Sequence, residues 1–600
     1  MKYKKLMSTV ALGAVVTFGL AACGSKDSGN KNSGDKKGNG EAQDIAKFPI
    51  ETKNKEKAQN GGTLDVAVAM DTSFQGLFDP AFNKDAYDVS FMEPAFEPLF
   101  GYDDKFQIDD SGVASLKLDK KAKKVTIKLI KDAKWSDGKP VVADDIIQPY
   151  LVIGDKDYPG TRYGEQMQKI VGMKDYHEGK ADSISGIEKV DDKTVDITYE
   201  SVDPGILTAD GDGGAWQNAM PAHIFKDIAV KDIESSDAIR KHPVTFGPYK
   251  MSKITRGESV EFTPNEHYYG EKPKLDKVVF RQTPSNSVIE GLKSKKYDMV
   301  VSMPTDTYPT YKDVEGYEML GRPEFSYSYI GFKMGKFDKE KGEVDYNPDA
   351  KMANKSLRQA MAYAVDNQAV GEKFYYGLRT GANSLIPPAL GEFNDSKLKG
   401  YTLDVDKANK LLDDAGYKKK DGEEFRRDPK GEKLEIKFAS MAGGETAQPL
   451  AEYYIDQWKA VGLDVKLATG RLIDFNQFYD KIQNDDPDID VFQGAWQVSF
   501  NPSQTSLYGP KAAFNFSRFA SKENTRLLNE MDSDKSFDSE YRTKIFKEWQ
   551  QYAHDEAFAI PTLFRDEVRP VSNRVTDFNW DVVKGQHAWS EIGVTSDSRK

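Results

Sequence analysis

The stretch from 434 to 467 restricts the fold of this chain more than any other. Leu434-Glu435-Ile436-Lys437-Phe438 alternates with the period of a strand. Ala447 to Val461 then repeats apolar residues at Ala451, Tyr454, Ile455, Trp458 and Val461, Gly462 ends that helix, and Leu463 to Leu467 is a strand again. Strand, helix and strand joined this closely make a βαβ unit, which requires parallel strands, a right-handed crossover and helices covering a sheet. Two more amphipathic helices belong to the same half. One runs from Leu357 to Val370; the other, Asp406 to Asp414, places Ala408, Leu411, Leu412 and Ala415 on one face before Gly416.

The earlier part of the chain has a different rhythm. Leu64 to Val68, Val125 to Leu129 and Thr194 to Thr198 alternate with period two, the last two in the manner of antiparallel strands with one wet face. Phe91 to Phe100 is expected to be helical, broken by Pro94 and Pro98. With 600 residues the chain exceeds a single hydrophobic core, so two to four domains are expected. No repeat of 20 to 50 residues is evident.

Charge and cysteine content exclude some functions. A formal net charge of -12 argues against nucleic acid, which requires a basic stripe to displace counterions. The one cysteine, Cys23, permits no disulfide within the chain. Lys2, Lys4 and Lys5 precede an apolar run from Leu6 to Leu20, then Leu20-Ala21-Ala22-Cys23-Gly24 follows: a secretory leader ending in small residues, 1-22. Residues 23-60 lack the apolar content to fold and are expected to form a flexible tether carrying the cysteine, with a mean reach of roughly 35 Å.

No catalytic constellation emerges. The six histidines lie far apart, without HExxH, and there is neither a G-x-S-x-G elbow nor a P-loop. Asp210-Gly211-Asp212-Gly213-Gly214 has no Glu at the twelfth position of a calcium loop and reads as a connection. The acidic group Asp485, Asp486, Asp488 and Asp490 reads as a solvated loop, with a weak cation site as the alternative. The stretch Asp488 to Pro502 reads as a strand that runs out at Gly494 into an irregular segment bearing Trp496 and Phe500. Glycine there would let another backbone approach, or the aromatics would simply fill a core.

Several blocks, in order, resemble the solute-binding proteins of peptide-importing ABC transporters, the peptide and nickel cluster. They are Trp135-Ser136-Asp137-Gly138-Lys139-Pro140-Val141-Val142-Ala143-Asp144-Asp145, Thr245 to Tyr249, Asn265 to Gly270, Leu357 to Asp366 and Lys407 to Tyr417. In the first, Asp144 is expected to cap the following helix. Asn383 to Pro388 and Leu-Ala-Ala-Cys, similar to a lipobox, look most like the oligopeptide-binding lipoproteins of lactic-acid-type Gram-positive bacteria.

That resemblance implies an α/β, two-lobed periplasmic-binding-protein-like fold (type II, cluster C) with an extra β-rich domain. Domain I would comprise 61-100, 216-304 and 556-600, domain II 101-215 and domain III 305-555. It also implies lipidation of Cys23, anchoring at the extracellular face of the cell membrane, an ABC permease as partner, an oligopeptide as ligand, a monomer, and neither cofactor nor metal. Peptide backbone would pair with Lys84, Asp85 and Ala86 on one lobe and with Gly494, Ala495, Trp496 and Gln497 on the other. Met441, Ala442, Gly443, Leu472 and Phe475 would line side-chain pockets, and Ser499 and Asn501 complete the expected set. Ser499 stands where dipeptide binders carry an Asp that pairs with the ligand's α-ammonium, so the peptide N-terminus is expected to lie unfixed. A receptor for one hydrophobic signalling peptide is the alternative reading; a surface peptidase is a third.

Overall fold

Period-two alternation in the first half and βαβ rhythm in the second converge on one mixed sheet that runs through both lobes. The computed structural model describes residues 42–84, 86–209 and 215–599; the leader, Cys23 and the Asp210 to Gly214 connection lie outside the described residues. In chain order come β1 (Thr63–Ala69) and α1 (Ala86–Met92), then β2 (Ala114–Asp119), β3 (Lys124–Leu129), α2 (Ala143–Gly154), β4 (Ile187–Asp191) and β5 (Thr194–Thr198). After them come β6 (Tyr249–Thr255), β7 (Ser259–Pro264), β8 (Lys277–Thr283), β9 (Met299–Val301) and the long β10 (Tyr317–Phe332). The second lobe adds α3 (Lys355–Tyr363), α4 (Asn367–Tyr375), α5 (Val405–Asp414), β11 (Glu435–Ala439), α6 (Ala447–Ala460), β12 (Asp464–Leu467), α7 (Phe475–Gln483), β13 (Val491–Gln497), α8 (Lys522–Met531) and α9 (Ser539–Glu556). The chain then returns through β14 (Ala559–Ser572).

The main sheet has the order β12-β11-β13-β10-β14-β9-β1-β8-β7-β6. β11 and β12 pair in parallel around α6, as the βαβ reading requires. β2, β3, β5 and β4 form a separate antiparallel sheet. Its buried side chains, with Trp135 and the α2 residues Ile146 and Tyr150, make one core that also draws on Leu77, Phe82, Phe225 and Phe246, outside the span 101-215.

β10 and β14 carry the chain between lobes. Leu320 and Val571 sit in the core of the first lobe, whereas Tyr327, Tyr329, Ile560 and Leu563 sit in that of the second. Their antiparallel ladder slips between Pro323 and Tyr327 and again between Ser328 and Tyr329, the irregularities lying where the strands pass from core to core.

Four local expectations need correction. The helix expected at 91 to 100 is α1, which lies earlier and ends at Met92, two residues before Pro94. The helix expected from 357 to 370 is two, α3 and α4, because the Asp366 carboxylate accepts the Ala369 amide and starts a new helix. At α2 the carboxylate that accepts the Val142 amide is Asp145, which also takes the Trp135 indole N–H at 2.8 Å; Asp144 is exposed and pairs with Lys189. The tether expected to reach residue 60 is packed from residue 42 onward: Phe48 meets Tyr308 at 5.9 Å, Gly321 N–H donates to the Pro49 carbonyl, and the Thr52 amide donates to Phe578.

Candidate functional site

β13 begins as an inner strand and ends as an edge. On one side it pairs with β10 from Phe332↔Val491 to Ser326↔Gln497. On the other, β11 meets only Val491 and Phe492 before its chain turns away at Ser440. The strand does not run out at Gly494, because β10 supplies a partner for every residue to Gln497. Lys333 N–H donates to the Asp490 carbonyl and Val498 N–H to the Phe325 carbonyl, so even-numbered residues direct their main-chain groups toward β10. Odd-numbered residues face the other way, and the Ala495 carbonyl accordingly accepts the Tyr479 hydroxyl at 3.2 Å. Of the four residues expected to read a peptide backbone, Ala495 and Gln497 therefore present main-chain groups at the free edge. Gly494 and Trp496 spend theirs on β10.

Gly494 has another reason to be glycine. A Cβ there would stand 3.1 Å from Cε1 of Tyr329, whose buried ring packs over it. A tyrosine ring, not a visiting backbone, occupies that space. Trp496 then extends the ring array: it stacks on Tyr329 at 6.4 Å and on Phe516 at 5.1 Å, and meets Phe514 edge-on at 5.4 Å.

Beside the free edge lies α7, capped by Asp474, whose carboxylate accepts the Asn476 amide. Its aromatic residues continue the lining: Phe475 and Tyr479, one turn apart, lie 5.0 Å from each other, and Tyr479 reaches Phe516 at 6.1 Å. Leu472 and Phe475 are half-buried, Leu472 packed on the second core. Met441 bridges to Ile473 and the Ala442 amide donates to the Ile473 carbonyl at 2.7 Å, while Ala442 and Gly443 are themselves exposed.

The first lobe faces these groups with α1. Asp85 lies outside the described residues; Lys84 is exposed and pairs with Glu234 at 3.1 Å, and exposed Ala86 is the first residue of α1. The side chain that crosses to the other lobe is Tyr87, 5.2 Å from Phe475 between ring centroids. Thr72 also crosses, its hydroxyl donating to Asp474 at 2.5 Å.

Between the lobes, β10 and β14 present alternating charge. Arg322 donates to Glu567 at 3.1 Å, Arg565 lies 3.4 Å from Glu324, and Arg569 lies 3.9 Å from Glu93. Glu324 holds the Arg565 guanidinium charged against its burial, and burial pushes Glu93 up. Each of these three arginines thus faces a glutamate of the protein, which leaves none of them free to fix an end of a zwitterionic ligand.

Ser499 and Asn501 turn inward. The Ser499 hydroxyl donates to the Asn501 carbonyl, and the buried Asn501 accepts from Arg542 and from the Ser503 amide. The Asn501 side-chain oxygen is thus committed within the protein. The acidic group at 485 to 490 is likewise committed: Asp485 pairs with Lys333 and Arg518, Asp486 with Lys481, Asp488 with Lys437 and Asp490 with Lys351. Each carboxylate has a lysine or arginine partner, and the loop is not solvated at Asp485, which is 9% exposed. Among the described residues no group of three or more His, Cys, Asp or Glu is placed to hold a metal.

Tyr87, Tyr329, Tyr479, Phe514, Phe516 and Arg565 were not legible as site residues from sequence. Of these only Tyr329 carried a usable signal, in the period-two run Phe325-Ser326-Tyr327-Ser328-Tyr329, since aromatics at strand spacing share a face.

Comparison with known proteins places this geometry. Residues 112–517 match the family described as bacterial extracellular solute-binding proteins, family 5 Middle. The chain is 34% identical over 604 residues to the oligopeptide-binding protein OppA of Lactococcus lactis subsp. lactis, covering 99% of this chain and 98% of that protein. Lactococcal OppA complexed with an endogenous peptide in the closed conformation superposes with a TM-score of 0.86, over 89% of this chain and all of that one. AppA of Bacillus subtilis in complex with a nonapeptide shares the fold at 20% identity, with a TM-score of 0.75 over 90% of this chain and all of that one.

Proposed function

The chain belongs to family 5 of the bacterial extracellular solute-binding proteins, and from that premise we propose that it captures oligopeptides between its two lobes and delivers them to an ABC importer. The observation that carries this reading is the half-paired strand β13. Its Ala495 and Gln497 present main-chain groups to the space beside α7, where an extended peptide adds a strand irrespective of its sequence. The aromatic lining from Tyr87 to Trp496 gives apolar side chains a place to bury. The self-balanced charges of the cleft floor, with Ser499 in place of a carboxylate, leave peptide termini unfixed and favour a range of lengths.

Ligand capture needs no catalytic group, and the protein is read as a non-enzymatic receptor. It is held at the outer face of the cell membrane by a lipid on Cys23 and acts as a monomer beside its permease. The division into domains I, II and III at 101-215 and 305-555 is part of the same reading; separate buried cores on either side of the β10 and β14 crossing support the two lobes, while the core around the small sheet reaches past 101-215.

Native mass spectrometry of the protein as purified tests the reading. A distribution of added masses, released by denaturation and sequenced as peptides of mixed length, is expected. A single recurrent hydrophobic peptide would favour a signalling receptor, and shortened peptides appearing on incubation would point to a peptidase. A ligand-free mass that stays unchanged with an equimolar library of random nonapeptides would overturn peptide capture.

A further inference from the structure

A second meeting of the lobes lies on the other side of the cleft, between the small antiparallel sheet and the helices α8 and α9. Lys169 donates to Asp203 at 3.0 Å, with the two side chains 18% and 2% exposed. Both belong to the first lobe. From the second lobe comes Asp532, at the end of α8, which accepts from Gln166 of the first lobe at 3.3 Å and from its own Ser503 and Thr505 at 2.8 and 2.5 Å. Arg542 on α9, also buried, feels both Asp203 and Asp532 and donates to Asn501. The Asn501 amide nitrogen lies so close to Gly205 of the first lobe that a Cβ on Gly205 would stand 2.5 Å from it. Lys120 of the first lobe covers the ring of Phe537 of the second at 4.1 Å.

Two features distinguish this contact from a permanent interface. Each lobe brings one cation and one anion, and closing adds attraction across the contact, of Asp532 for Lys169 and of Asp203 for Arg542. Yet Gln166 Oε1 and Arg542 Nε are buried without a hydrogen-bond partner. Each of these atoms regains water when the lobes part, which offsets the ionic gain of closing. Burial also pushes the Asp203 carboxyl up to about 6, the Asp532 charge adding to this and Lys169 opposing it.

We infer that the cluster of Gln166, Lys169 and Asp203 with Asp532 and Arg542 is a closure latch, which sets how long the closed molecule holds its cargo without touching that cargo. The inference rests on the lobes closing around a peptide. The latch is poised rather than locked: its partners match, but its unsatisfied atoms hold the closed state to a fraction of the ligand-free molecules, a fraction that weakening the latch lowers.

Stopped-flow release of an equimolar random nonapeptide library, with small-angle X-ray scattering on the same full chain, tests it. Lys169→Met removes one cation from between two carboxylates, and peptide release is expected to quicken at least tenfold with association unchanged. Gln166→Ala, which leaves the charges in place and guards against misfolding of the first variant, should act in the same direction by a few fold. Both variants should also show a larger radius of gyration than the parent, ligand-free or loaded. Equal release rates and equal radii would overturn the latch. Should the library bind none of the proteins, the peptide-capture reading fails by itself, and the ligand-free radii alone decide: larger in both variants supports the latch, unchanged overturns it.

Discussion

Tyr329 and Trp496 lie on adjacent antiparallel strands with their rings nearly parallel, 9° between planes, and Tyr329 fills the space above Gly494. The glycine is therefore part of the ring packing. Gly494→Val places branched carbons against a ring that is 1% exposed and already within 3.1 Å of the first of them. Overpacking of this kind costs about 1–3 kcal/mol. A lowered midpoint in urea unfolding followed by tryptophan fluorescence is expected, and an unchanged midpoint would show that the ring yields freely.

Ala495 and Gln497 offer their main-chain groups to the free edge of β13, and that geometry separates backbone reading from side-chain selection. Ala495→Pro removes one amide donor from the edge without breaking the ladder to β10, since the lost N–H faces away from it. The loss of one hydrogen bond, about 1 kcal/mol, should weaken binding about fivefold. The factor should be nearly the same for peptides of different sequence, as measured by titration calorimetry. A sequence-dependent loss would mean that side-chain pockets, not the strand edge, hold the ligand.

Strand and helix periodicity revealed β11, α6 and β12 because each buries one face against a neighbour close in the chain. The crossing strands were hidden for the opposite reason. β10 and β14 pair across more than two hundred residues, and their middle portions carry Arg322, Glu324, Arg565, Asp566, Glu567 and Arg569, which read as solvated until the partner strand is known. Asp485 misled in the same way: a run of acids looks wet when the lysine and arginine that neutralise it lie far off in sequence. At the site, family order located β13, but which of its residues face outward depended on the parity of its pairing with β10. Tyr87, Tyr479 and Phe516 were beyond reach because they come together only through the approach of separate elements.

Asp566 on β14 links stability to pH. Burial, with the charges of Glu324 and Asp44, raises its carboxyl from the ordinary range to about 7. A carboxyl raised on folding holds its proton more tightly in the folded state, so its ionisation opposes folding. The penalty is absent below the unfolded value near 4, grows between about 4 and 7, and is complete above that. Asp566→Asn should thus raise Tm at pH 8 and leave it nearly unchanged at pH 4. Scanning calorimetry at the two pH values checks this; an equal shift at both would mean that the side chain acts through packing and not through charge.

The ion cluster of Lys333, Asp485 and Arg518 is the largest single stability test that the second lobe offers. Arg518 is fully buried, Lys333 and Asp485 nearly so, and Asp485 also accepts the Phe337 amide at 2.8 Å. Burial and the neighbouring Arg518 already lower the Lys333 ammonium to about 8, even with Asp485 beside it. Removing the one anion leaves two cations facing each other in the protein interior, where breaking a buried pair costs about 3–5 kcal/mol. Asp485→Ala should therefore destabilise the second lobe by that order. Lys333, relieved of its proton more readily, should let the loss shrink as pH rises above 8. Denaturant titrations at pH 7 and pH 9 would measure both effects, and a loss below about 1 kcal/mol at pH 7 would mean that water enters the cluster and screens it.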